Sequence, residues 1–380
     1  MTIFLIPVLF ALITWLRPRW AVGMLILAWP LYLWRGEVLG IPTTALELAI
    51  WAVTAIVVIL CIMQRPDVRR PSLPRSLFVW IGVWVVAWVV STWFATDRTA
   101  ALGAMKAWCI DPLLFAFVLG AVTQSTMDRL RAMQAALVSG GIVALAGLIQ
   151  MIAFRSTLQD GRLSSFFHPV ANYAAMYLGP LFILGTGLVL FRLLSKKWWV
   201  VVVAIGLALA LTLSYGGYLA ATAGAMVVWF GLPKGKLKTW SWRTAVVAAI
   251  IVVSLLSTTR NFREHFGEDR SSALVRTQIW VTSWALIQQH PIFGIGPNTF
   301  EAAYRAELPH HYYPPLEWLV AQPHNLFLAL WLETGVLGLI AFFGALATYL
   351  KQLRSFLAVH GEQRQVALLS LAAMVVILVH

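Results

Sequence analysis

Charge is scarce along this chain. Only 11% of its 380 residues are Asp, Glu, Lys or Arg, against about 25% in soluble globular domains, and no polar stretch is long enough to form a water-soluble domain of its own. Cysteine is nearly absent too: Cys61 and Cys109 both lie inside apolar runs, which excludes a disulfide framework and a cysteine-based metal cluster. The chain also lacks a glycine-rich phosphate loop ending in lysine, an HExxH zinc signature and a GxSxG nucleophile turn. Nucleotide hydrolysis on a P-loop, zinc-protease chemistry and serine-hydrolase chemistry are thereby set aside.

What is present is apolar: 60% of the residues are hydrophobic. They fall into runs near the ~20 residues that an α-helix needs to cross a hydrocarbon core of about 30 Å. The sequence predicts an all-α fold, a polytopic transmembrane helical bundle of about 11–12 membrane helices with one long, partly helical periplasmic loop. Predicted spans are residues 43–63, 76–95, 135–154, 173–194, 198–213, 218–232, 244–257, 325–350 and 366–380, with 109–123 as a shorter candidate. Runs 3–16 and 20–34, broken by Arg17-Pro18-Arg19, read as a helical hairpin or one interrupted crossing. The resulting division is 1–257, membrane helices; 258–322, the periplasmic loop; and 323–380, further membrane helices, which end in an apolar run expected to continue beyond His380.

A formal charge of +13 in a soluble protein would point to nucleic acid. In a membrane protein it first reports orientation, since cytoplasmic loops collect Lys and Arg. One alternating assignment places 18 of the 28 basic residues on one side and 5 in the short loops opposite. The remaining five, Arg260, Arg263, Arg270, Arg276 and Arg305, lie in the long segment from Thr258 to Gln322, which has no lysine. Membrane lipids are therefore the expected partner of most of the charge, and nucleic acid is not expected. A loop of this length is usually functional or disordered, and its aromatic residues favour order. It carries a predicted helix over Ser272–Gln289 and a turn over His290–Pro297.

Chemistry is sought where polar groups meet apolar helices on that side. Gln322-Pro323-His324-Asn325 opens an apolar helix, and a histidine in its first turn would be held neutral by the positive end of the helix dipole, as a general base requires. An interfacial capping histidine is equally consistent with that pattern. Glu333, about 13.5 Å deeper, is costly in lipid unless paired, so packing is favoured over catalysis for it. Arg276 could fork onto phosphate oxygens, pair with Glu268 or Asp269, or touch headgroups; Arg270 stands beside it. In the preceding outer loop Arg162 is a possible phosphate ligand, Asn172 a helix cap and His168 an interfacial histidine. Thr212 to Tyr218 links two apolar helices with almost no loop and reads as a broken membrane helix. Asp111, beside the expected kink at Pro112, and Glu47 are intramembrane acids, and a functional or a hydrogen-bonded role fits each.

In order, Gly161-Arg162, Asn172 to Leu178, Arg276 with Ile279-Trp280, His290 to Pro297, Phe300 and Pro323-His324-Asn325 with Leu328, Glu333, Gly335 and Gly338-Leu339 resemble the O-antigen ligase and polymerase family of bacterial membrane proteins. The resemblance implies an inverting, metal- and cofactor-independent glycosyltransferase at the periplasmic face of the inner membrane. Its donor would be a glycan on undecaprenyl pyrophosphate and its acceptor a hydroxyl of lipid A core, another glycan or a protein. It implies His324 as general base and Arg276 on the departing pyrophosphate, with Arg162, Arg270, Asn172, Asn325, Glu333 and Tyr215 as substrate-binding residues. Family members usually carry an arginine where this chain has Tyr215, directly after Ser214, so either Arg162, Arg270 or Arg260 replaces it or the chain is altered in substrate or inactive. A transporter of small anions is the competing reading. Against it stand the absence of paired half repeats and the gathering of polar residues at one surface; a protein-glycosylating enzyme is the other alternative.

Overall fold

In lipid every backbone N–H and C=O must be bonded within the protein, and a helix does so within a single segment, so apolar runs of spanning length become helices. The computed structural model of the protein describes residues 5–38, 40–153, 161–167, 170–232, 235 and 272–380. Among them seven helices are long and apolar enough to cross a membrane: Ala45–Ile62, Arg75–Phe94, Arg98–Val122, Thr126–Ala153, Ala171–Leu190, Leu326–Leu357 and Glu362–Val379. The protein is an all-α polytopic helical protein. The expected run 244–257 lies outside the described residues.

The chain opens with α1 (Leu5–Leu16) and α2 (Ala21–Leu27), separated by a single 3-10 turn at Pro18–Trp20. A two-stranded antiparallel hairpin follows, β1 (Arg35–Val38) against β2 (Ile41–Thr44), which the apolar pattern does not reveal. Its last residue caps α3 (Ala45–Ile62): the Thr44 hydroxyl accepts from the Glu47 amide, and the Glu47 carboxylate accepts from the Thr44 amide, a capping box. α4 is Arg75–Phe94. The short candidate at 109–123 is corrected to a span of 25 residues, Arg98–Val122. It runs from α5 (Arg98–Met105) through a π-helical turn, Lys106–Ile110, into α6 (Asp111–Val122). Pro112 has no N–H and its ring crowds the carbonyl four residues back, and the wide turn absorbs that defect without ending the helix. α7 (Thr126–Ala153), α8 (Ala171–Leu190), α9 (Trp199–Leu211) and α10 (Tyr215–Gly231) complete the first part.

After residue 271 come α11 (Ser272–Gln289), with the predicted bounds, then α12 (Phe300–Glu307), α13 (Leu326–Leu357) and α14 (Glu362–Val379). One buried cluster joins α7, α8, α9, α10 and α14 around Leu178, Ile183, Ile205 and Leu369, and a second joins α2, α3 and α6 around Val53 and Val118. The third belongs to the long segment: Ile279 and Leu286 of α11, Phe300 and Tyr304 of α12 and Val320 close on Leu332 of α13. The segment after residue 271 is thus a folded unit built on the first turns of a membrane helix.

α13 is not one continuous helix. It breaks at Gly335 (φ 68°, ψ −174°), and the turn after α11 fills the break. The Ile295 amide donates to the Leu332 carbonyl at 2.7 Å, the Val336 amide to the Pro291 carbonyl at 3.3 Å and the Trp331 indole to the same carbonyl at 2.9 Å. α4 closes the other side. Ser91 Oγ donates to the Glu333 carbonyl at 2.5 Å, and the Phe94 and Phe293 rings stack at 4.9 Å. The turn and α4 thus answer the Leu332 and Glu333 carbonyls and the Val336 amide at the kink, which lipid could not satisfy.

Candidate active site

Two helix starts and one helix face converge at this end of the bundle. Asn325 is the N-cap of α13, its side-chain oxygen accepting from the amides of Phe327 at 3.0 Å and Leu328 at 3.2 Å. His324 therefore precedes the helix and is not in its first turn, which corrects the expectation. Its backbone is left-handed (φ 50°), a conformation uncommon for a residue with a Cβ. What holds it is α11: Trp280 Nε1 donates to the Pro323 carbonyl at 3.1 Å.

Arg276 lies one turn before Trp280 and so shares its face of α11. Its guanidinium is exposed, has no ion pair among the described residues, and its charge reaches His324. The imidazole is held below the usual histidine range, first by the protein packed around the ring and then by Arg276. The dipole of α13 acts in the same direction. An imidazole biased toward its neutral form and a guanidinium with no ion pair among the described residues thus stand where a membrane helix begins. Replacing Trp280 with Phe keeps the ring body and deletes the one donor to Pro323. The expected outcome is a His324 titration, followed by NMR of labelled histidine, that moves up toward the free-histidine value as the bend drifts from Arg276; an unmoved titration would show that Trp280 does not position it.

The other sequence candidates have contacts of their own. Arg162 is committed to the break between α9 and α10: Nε donates to the Thr212 carbonyl at 2.9 Å, and one terminal nitrogen donates to Asn172 Oδ1 at 2.9 Å and the Leu213 carbonyl at 3.4 Å. The expected broken helix is present, with Leu213 at φ 49° and Ser214 capping α10 through the Gly217 amide at 3.3 Å. Arg162 stitches those freed carbonyls to the loop before α8. Asn172 is not a helix cap, since α8 starts at Ala171 after Val170 with no side-chain cap, and its oxygen serves Arg162. Tyr215 begins α10 within reach of the Arg162 charge, its ring edge-on to Tyr218 at 6.4 Å. Arg270, Arg260 and His168 lie outside the described residues.

Each intramembrane acid has at least one partner, although Asp111 Oδ2 is buried with none among the described residues. Glu333 is half-buried in the first part of α13, its carboxyl faced by the Asn298 backbone amide. Glu47 accepts from Thr43 Oγ1 at 2.8 Å and pairs with Lys106 at 2.8 Å, while Asp111 accepts the Trp51 indole N–H at 2.6 Å. Trp280 stood among the resembling residues without a role, and Ser91 is a contributor that no motif singled out. Only the indole's spacing from Arg276 could have indicated the first.

Fold and site together define a polytopic membrane protein with a folded segment closing over the start of one of its spans. Residues 199–343 of the 380 match the O-Antigen ligase family, and the match supports membership of the O-antigen ligase/polymerase family. The matched stretch contains Tyr215, Arg276, His324, Asn325 and Glu333, whereas Arg162 and Asn172 precede it. No curated protein matches the chain.

Proposed function

We propose that the protein moves an oligosaccharide from undecaprenyl pyrophosphate to an acceptor hydroxyl at the periplasmic face of the inner membrane, as an O-antigen ligase or polymerase does. The observation that carries this reading is that His324, biased to its neutral form, feels the charge of Arg276, which has no ion pair among the described residues, at the membrane end of α13. A ring nitrogen of His324 takes the acceptor's proton as its oxygen attacks the anomeric carbon. The new carbon–oxygen bond forms as the bond to the pyrophosphate oxygen breaks, and the electron pair leaves with that oxygen. Arg276 meets the charge that develops there, which a preorganised donor in a partly dry site stabilises more than water does. Attack opposite the leaving group inverts the anomeric centre. The acceptor is a sugar hydroxyl of a lipid A core or of another glycan; Asn325 and Glu333 hold the end of α13 on which the reaction depends.

Arg276 supplies the test. With purified protein and lipid-linked glycan, Arg276→Gln is expected to slow transfer about a hundredfold, and Arg276→Lys to fall nearly as far, because an ammonium does not reproduce the two-pronged contact. Full activity with Lys would reduce Arg276 to a generic charge. The pH profile reports independently. A base must be neutral, so activity falls as pH drops through the His324 pKa, which lies below the usual ~6.5. Removing the Arg276 charge favours the imidazolium, and the acid limb of Arg276→Gln is expected to move to higher pH. A limb that stays put or moves down would sink the assignment of His324 as base.

A further inference from the structure

At the end of the bundle opposite His324, three connections meet: the turn between α1 and α2, the loop between α3 and α4, and the turn before α7. Side-chain and backbone contacts tie them together. Arg19 pairs with Asp67 at 3.0 Å, joining the first to the second, and its charge also reaches Asp128 in the third. The Arg69 amide donates to the Ala121 carbonyl at 3.0 Å, fastening the middle loop to the end of α6. That loop is stiff. Val68 is buried (4% exposed), Pro66, Pro71 and Pro74 restrict it, and Pro71 lies where a Cβ on Gly120 would sit only 3.0 Å away.

The acids here are already used: Asp67 by Arg19, and Asp128 by Ser125 at 2.7 Å and Arg131 at 3.6 Å. Arg65, Arg69, Arg70 and Arg75 have no ion pair among the described residues, and the last three are exposed. Leu73 of the same loop and Trp20, next to the Arg19 that pairs with Asp67 of that loop, are 50% and 64% exposed. Guanidinium groups on a rigid frame with an apolar rim at the end of membrane helices are the chemistry of a phospholipid headgroup with its acyl chains alongside. Plain anchoring by positive charge needs neither the fixed loop nor arginine in particular.

We infer that the α3–α4 loop is a binding site for an anionic phospholipid carrying two phosphates, of the cardiolipin type, held bidentately by Arg69, Arg70 and Arg75 with its chains against Leu73 and Trp20. The site is separate from the proposed catalytic pair and does not depend on that reading. The test is lipid retention by native mass spectrometry of the whole protein, with cardiolipin, phosphatidylglycerol at matched charge, and phosphatidylcholine. Wild type is expected to keep cardiolipin at least tenfold better than phosphatidylglycerol. The variant Arg69→Gln/Arg70→Gln/Arg75→Gln is expected to lose about a hundredfold in cardiolipin affinity, at about fivefold per arginine. Arg69→Lys/Arg70→Lys/Arg75→Lys keeps the charge and the fold; it is expected to retain both anionic lipids while losing the preference between them. Equal retention of the two anionic lipids by wild type, or an undiminished preference in the lysine variant, would overturn the site in favour of a diffuse positive surface.

Discussion

His324→Ala protein is expected to transfer glycan from its lipid carrier about 10²- to 10⁴-fold more slowly than wild type, the contribution of a positioned general base. The residue sits before the cap of α13, and the cap belongs to Asn325, so removing the imidazole leaves the start of the helix intact. Ala in a left-handed backbone carries a strain of its own, and His324→Asn separates the two effects, because Asn tolerates φ near 50° while lacking a basic nitrogen. Both variants are expected to be inactive and the Asn form to be as thermally stable as wild type. Transfer at the wild-type rate by a folded His324→Asn protein would remove the base from His324. Restored activity only in the His form, with an acid limb below the free-histidine value, would fit the lowered pKa that packing and Arg276 impose.

Gly335→Ala is expected to be the most damaging single change to the fold. Its backbone, φ 68° and ψ −174°, lies in a region that is essentially restricted to glycine, with a strain of about 1–3 kcal/mol for other residues. A Cβ there would sit 1.9 Å from the Ile292 carbonyl oxygen, and that oxygen belongs to backbone in a turn fastened to α13 from both sides. No side chain can swing away to make room. The turn must leave the kink, and the carbonyl of Leu332 and the amide of Val336 then lose their partners at the edge of the apolar layer. The expected outcome is a loss of more than about 3 kcal/mol, read as a large drop in the thermal midpoint of detergent-solubilised protein. A Gly335→Ala midpoint within a degree or two of wild type would show that the turn does not depend on the kink.

Much of this architecture was legible because it rests on local signals. α11 occupies Ser272–Gln289 as predicted, between a serine start and the His290-Pro291 turn, and the break at Thr212 to Ser214 follows from short polar residues between apolar runs. The match at residues 199–343 agrees with the family that the motifs resembled. Legibility failed where a contact joins distant parts of the chain. Nothing near Arg162 says that its donors will be taken by carbonyls 50 and 51 residues later; as a lone guanidinium in an outer loop it resembles a phosphate ligand. Asn172 was misread for the same reason, since its oxygen answers Arg162 and not its own helix. The hairpin at Arg35–Thr44 is short and has no apolar alternation, and the π turn is a backbone accommodation that composition does not record. For His324 the residue and its chemistry were visible, and the left-handed backbone that presents it was not.

The filled kink in α13 also bears on how such proteins can be recombined. A turn that completes another helix's backbone hydrogen bonds is matched to that helix alone, whatever its own sequence. Chimeras that swap only the stretch between two membrane spans would separate Pro291 and Ile295 from the Val336 and Leu332 groups they serve. The smallest exchangeable cassette runs from the start of α11 to beyond Gly335, so that whatever this segment determines would travel with the first half of a membrane helix.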